Sequence, residues 1–163
     1  MAQRIKATKE WPFYQAYHDE KYILRHDCSK IVPLREPKED RIYRLYNQKE
    51  KEIVFYQIDP DLIKNEGVLK CDNAIYTEDD ILFLIELKGG ELSRAIDQIN
   101  STIDILLKPH NIKPKKLNAR IVVSKVRAPN LLTSKENKLK QLLRKSYGGG
   151  NYKKQSRVLE ESI

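Results

Sequence analysis

Residues 81–85, Ile-Leu-Phe-Leu-Ile, form the longest uninterrupted apolar run in the chain, and the run stops abruptly at Glu86-Leu87-Lys88 and Gly89-Gly90. A strand with one wet face alternates apolar and polar residues. A strand without alternation is covered on both faces, so the rest of the chain must supply a layer on each side of it. The run is also far too short to cross a bilayer, which takes about 20 apolar residues. After it, Leu92, Ile96, Ile99, Ile103 and Leu106 recur at spacings of three and four. That predicts an amphipathic helix over 91–107, closed by Pro109 and Pro114. Ile121-Val122-Val123 then marks a second buried strand over 118–126. A helix joining two buried strands implies a right-handed crossover and a parallel pair. The expected fold class is α/β, a mixed central β-sheet flanked by helices, and 163 residues fit one domain spanning 1–163.

Trp11-Pro12 resembles a helix entry, since proline suits the first turn, and a helix is expected over 12–25. Residues 41–46 and 53–58 are rich in β-branched and aromatic side chains and flank the polar stretch 47–51. They are expected to pair as a hairpin. Residues 68–76 give another strand, followed by the acidic turn Thr77-Glu78-Asp79-Asp80. A basic helix is expected over 134–145, with Ser134 as its N-cap. Gly148-Gly149-Gly150 lacks the Lys-Ser/Thr of a phosphate-binding loop and reads as a flexible loop, followed by a final strand or tail.

Charge is distributed unevenly. Between residues 108 and 157 there are fifteen Lys and Arg against one acid, Glu136, a balance of +14, while the remainder holds sixteen bases and 22 acids, a balance of −6. A basic surface of this kind attracts a polyanion, most commonly nucleic acid. The basic segment has no amphipathic helix with large aromatics, so membrane binding is not expected. Residues 1–6 carry no apolar stretch of the secretory type, which predicts a cytoplasmic protein. Two cysteines, Cys28 and Cys71, make no disulfide framework, and three scattered histidines show no zinc-ligand spacing.

The chemistry gathers at the end of the buried strand. Residues two apart on a strand project from one face, so Glu86 and Lys88 are expected to point together, and Asp72 lies on the preceding strand. Charged groups at such a place need partners, and a divalent cation would be one. Mg²⁺, with Mn²⁺ as a substitute, takes hard oxygen ligands. Asp72, Glu86 and the main-chain carbonyl of Leu87 supply them. Lys88 adds a compact point charge for a phosphate oxygen or a water. If Asp72 is to share a face with Glu86, the two must stand opposite each other. That requires an odd-length loop centred on Asp79; a loop centred between Glu78 and Asp79 would turn Glu86 to the other face.

Asp72, thirteen intervening residues and then Glu86-Leu87-Lys88 resembles the PD-(D/E)XK superfamily, the restriction-endonuclease-like and Holliday-resolvase-like nucleases. The resemblance covers about residues 68–125. It implies a restriction-endonuclease-like core, Mg²⁺ dependence and phosphodiester hydrolysis by Asp72, Glu86 and Lys88. Ala95-Ile96-Asp97-Gln98 resembles the helix after the motif, where a glutamine faces the active site, which implies a catalytic role for Gln98. Several members add an acid from the N-terminal helix, and Glu20 is the one placed for it. Cys71 stands where the motif has proline, and Thr102 where RecB-like members have tyrosine. Lys113, Lys115, Lys116, Lys125, Arg127, Lys138, Arg144 and Lys145 are the expected phosphate contacts, which give affinity without base readout. The expected activity is a metal-dependent nuclease, endonuclease before exonuclease and on DNA before RNA, and a homodimer would let it cut both strands of a duplex. The competing readings are a non-catalytic nucleic-acid-binding protein on the same fold, with Glu86 and Lys88 as a structural ion pair, and a basic interaction module within a larger complex.

Overall fold

The structure is a computed structural model, and it describes residues 11–35, 40–88, 91–124 and 133–163, with Lys88 and Thr133 placed by their main chain. It is mixed α/β. Among the described residues nine strands form two sheets, and helices cover one face of the larger. The strands are β1 (Ile23–Asp27), β2 (Ile31–Arg35), β3 (Ile42–Tyr46), β4 (Ile53–Gln57), β5 (Asn73–Thr77), β6 (Ile81–Lys88), β7 (Lys116–Val123), β8 (Tyr152–Ser156) and β9 (Val158–Ser162). The helices are α1 (Pro12–Ala16), α2 (Leu92–Leu106) and α3 (Thr133–Ser146). The larger sheet runs β1-β4-β5-β6-β7-β8 and the smaller β2-β3-β9. No helix among the described residues is long and apolar enough to cross a membrane.

The unalternating run lies in β6, a central strand buried on both faces. Leu82 and Leu84 join the core under the helices, with Ile96, Ile99 and Ile103 of α2. Phe83, Ile85 and Leu87 join a second core, shared with Val32, Tyr43 and Leu45 of the small sheet. The two layers required by the run are thus α2 on one side and β2-β3-β9 on the other. β6 and β7 are parallel, Ile81 opposite Lys116 through Lys88 opposite Val123, with α2 as the crossover. β8 adds in parallel to β7, from Ala119 opposite Tyr152 to Val123 opposite Ser156.

Three expectations need correction. The expected helix over 12–25 is only the five residues of α1; residues 23–27 are a strand against β4. Their apolar content serves the ladder, not a helical stripe. The expected hairpin of 41–46 with 53–58 does not form: β3 pairs with β2 and β9, and β4 with β1 and β5. The polar stretch 47–51 is instead a corner where the chain leaves the small sheet for the large one. Asn47, fully buried, ties the corner: its side chain donates to the carbonyls of Ser29 (3.1 Å) and Lys51 (2.7 Å) and accepts from the Lys51 N–H (3.0 Å). The glycines of 148–150 are a site of close packing. A Cβ on Gly148 would come within 1.6 Å of the Lys115 carbonyl oxygen, and one on Gly150 within 1.8 Å of that of Leu117. Only glycine lets this connection lie against the start of β7.

The end of the chain bridges the sheets. Arg157, at φ 62°, turns β8 of the large sheet into β9 of the small one. Arg120 of β7 is 2% exposed and reaches across to Glu161 of β9 at 2.7 Å, where the Tyr43 hydroxyl also donates at 2.6 Å. Burial pushes the Glu161 carboxyl up, but the Arg120 bond and charge, with Tyr43 and Lys153, outweigh it and hold the carboxyl below its usual range.

Candidate active site

The β5–β6 hairpin has the register that the site requires. Asn73 faces Ile85, Ala74 faces Leu84, Ile75 faces Phe83 and Tyr76 faces Leu82, and continuing this register one residue outward brings Asp72, a bend just before β5, beside Glu86. The loop is three residues, Glu78, Asp79 and Asp80, centred on Asp79. Asp80 takes φ 62° and its N–H bonds the Thr77 carbonyl at 3.0 Å. A left-handed third residue is how three-residue loops close, and Asp tolerates it.

Alternation then decides the face. Leu82, Leu84, Ala74 and Tyr76 belong to the core under α2, so Glu86, at an even position on β6, lies toward α2, and Asp72 stands immediately before β5. Glu86 is only 2% exposed. Each carboxylate accepts a backbone N–H from the neighbouring segment: the Asp72 N–H donates to Glu86 Oε2 at 3.0 Å, and the Leu87 N–H donates to Asp72 Oδ2 at 2.9 Å. Each acid is thereby fixed at the end of its strand.

α2 clamps the approach to Asp72. Gln98 Nε2 donates to the Lys70 carbonyl at 3.0 Å, and the Cys71 N–H donates to Thr102 Oγ1 at 2.9 Å, while Thr102 itself donates to the Gln98 carbonyl at 2.8 Å. Three successive residues, Lys70, Cys71 and Asp72, are therefore held by Gln98, Thr102 and Glu86 in turn. Thr102, which stands where RecB-like members have tyrosine, thus braces the segment before Asp72. Its signal in the sequence is its place four residues after Gln98, on the same helical face. Gln98 is buried, and its Oε1 has no hydrogen-bond partner among the described residues. The Cys71 thiol is pushed well above its usual range, by burial first and then by the charges of Glu86 and Asp72. It stays protonated and is no nucleophile.

The other expected residues fall in different places. Lys88 ends β6, with its main chain opposite Val123. Glu20 is exposed and follows α1 outside any helix, and no third His, Cys, Asp or Glu among the described residues joins Asp72 and Glu86 in a metal-sized group. Lys113, Lys115 and Lys116 are exposed at the start of β7, the opposite end of the sheet, about 17 Å from the level of Glu86 at 3.3 Å per residue. Lys138, Arg144 and Lys145 are exposed on α3. Lys125 and Arg127 lie outside the described residues.

No family model, curated protein or solved structure matches the chain.

Proposed function

We propose that the chain is a metal-dependent nuclease that hydrolyses phosphodiester bonds, endonuclease before exonuclease and on DNA before RNA, built on a restriction-endonuclease-like core. The observation that carries this reading is the hairpin register, which stands Asp72 opposite Glu86 at the buried end of β6, two residues before Lys88. The donor set fits Mg²⁺ or Mn²⁺. Two carboxylates and the Leu87 carbonyl are hard oxygens, and Gln98 Oε1 is a buried amide oxygen without a partner among the described residues. When bound there, the cation supplies a Lewis acid for the phosphate and a more acidic water.

The chain's own groups do the rest. Asp72 and Glu86 would hold the cation. Lys88 supplies a point charge to the phosphate oxygens as charge grows on them. Gln98 and Thr102 hold the main chain at Lys70 and Cys71, the two residues before Asp72. A second reading, a nucleic-acid-binding protein without cutting activity, draws on the same hydrogen bonds, because both carboxylates accept backbone N–H groups and serve the fold as well.

Calorimetric titration of Mn²⁺ separates the two. The nuclease reading expects one binding event in the wild-type protein that is lost in both Asp72→Asn and Glu86→Gln. Equal titrations from all three proteins would leave the acids a structural role only.

A further inference from the structure

A groove lies between α3 and the edge strand β8, with neither Asp72 nor Glu86 in its lining. About 810 Å³ of it is bounded by Asn137 and Lys140 of α3, by Tyr152, Lys153 and Lys154 of β8, and by the start of β9. A further 490 Å³ continues past Lys140 to Arg144 and to Gly149 and Gly150. The two share Asn137, Lys140 and Tyr152, so they form one channel along the length of β8.

Its acids are already matched. Glu136 pairs with Lys154 at 2.9 Å and Glu160 with Arg44 at 3.3 Å. Lys140 and Arg144 are exposed and have no ion pair among the described residues; Lys140 lies over the Tyr152 ring, 5.8 Å from its centre. Lys153 is half exposed, with only a 3.3 Å contact to Glu161, which Arg120 already satisfies. The channel lining therefore carries excess positive charge, from Lys140 and Arg144 on α3 and Lys153 on the other face of the edge strand. Sequence spacing does not reveal it, because α3 and β8 are brought together only by the fold.

The channel also leads somewhere. Lys88, Val123 and Ser156 are in register across the parallel strands β6, β7 and β8, so the C-terminal end of β8 is level with the carboxylate pair. Two strand spacings separate β8 from β6, about 10 Å. At the same end, Lys135 anchors α3 to the start of α2 through Ser93 (2.7 Å) and Asp97 (3.0 Å). At the other end, Gly148 lies against Lys115.

We propose that this channel carries the sugar-phosphate backbone of a nucleic-acid strand and delivers it to the end of the sheet where Asp72 and Glu86 stand. The proposal rests on the nucleic-acid part of the reading above, not on cutting. The contacts are to phosphates, so the surface binds without regard to base sequence.

The test is fluorescence-anisotropy titration of a mixed-sequence single-stranded oligonucleotide, in EDTA, on a Glu86→Gln background. The triple change Lys140→Gln, Arg144→Gln, Lys153→Gln is compared with a charge-matched control on other exposed lysines, Lys21→Gln, Lys49→Gln, Lys64→Gln. The channel variant is expected to bind at least about tenfold more weakly, with a log-log salt slope shallower by roughly two, and the control to stay near the parent. Equal affinities for channel and control variants would overturn the proposal. So would a loss of polyglutamate binding with oligonucleotide binding intact, which would assign the channel to an acidic protein. Cutting by wild-type protein is scored separately: activity with unaltered channel binding sinks the channel alone, and lost channel binding without any activity sinks the cutting alone.

Discussion

At the scale of single residues, the site depends on groups with very different visibility in the sequence. Glu86 and Lys88 stand out because a charge at the end of an apolar run is costly without a partner. Asp72 becomes legible once the hairpin is assumed, since a period of two and an odd loop fix which residue it faces. Thr102 is nearly invisible, because a buried threonine in a helix resembles any small core residue until its partner, the Cys71 N–H, is placed beside it. That bond makes a direct prediction. Thr102→Val keeps the shape but leaves a buried N–H without an acceptor, which costs about 1–3 kcal/mol. Urea unfolding is expected to show that loss for Thr102→Val and a smaller one for Thr102→Ser, which keeps the hydroxyl. Any metal-dependent cutting is expected to fall with Val and to persist with Ser. Equal stability of Val and wild type would mean that the clamp does not hold Asp72.

At the scale of elements, β6, α2 and β7 were legible because their patterns carry both their type and their surroundings. The unalternating run of β6 demands cover on both faces, the three-and-four spacing of α2 shows which face provides it, and a helix between two buried strands demands a parallel pair. β3 and β4 show the limit. Periodicity identifies each as a strand and says nothing of which sheet it joins; that choice is made by Asn47, whose bonds turn the corner. The join between β7 and β9 was equally hidden, since Arg120 and Glu161 are 41 residues apart. The Glu161 carboxyl is held below its ordinary value of 4.5, so its contribution is complete at pH above that value and is lost as pH falls through the lower folded one. Arg120→Met leaves a buried carboxylate with its main partner removed, at a cost of about 3–5 kcal/mol. Urea midpoints are expected to differ most between wild type and Arg120→Met at neutral pH and to converge as the pH falls below 4.5 and through the lowered folded value of Glu161, where the carboxyl protonates in both. A constant difference across that range would mean that Glu161 does not carry the effect.

At the scale of the whole molecule, charge and topology combine in a way that neither shows alone. The basic third of the sequence folds into α3, β8 and the start of β7, and these wrap one flank of the sheet from end to end. Of the side chains expected to contact phosphate, the described ones lie at the start of β7 and along α3. Those at 113–116 sit far from the acids, and α3 runs between that end and the end near α2. Glu86 lies near the C-terminal end of β6 with Asp72 beside it, at the edge where open α/β sheets place their ligands. The measurement that bears most directly on this account is single-turnover cleavage of supercoiled plasmid in Mg²⁺ by wild-type, Glu86→Gln and Lys88→Ala proteins, each first shown to be folded. The account predicts cutting by the wild type that EDTA stops, reduced about a hundredfold or more in both variants. Cutting that survives unchanged in Glu86→Gln, or none from folded wild-type protein on plasmid, single-stranded, branched or RNA substrates with Mg²⁺ or Mn²⁺, would contradict it.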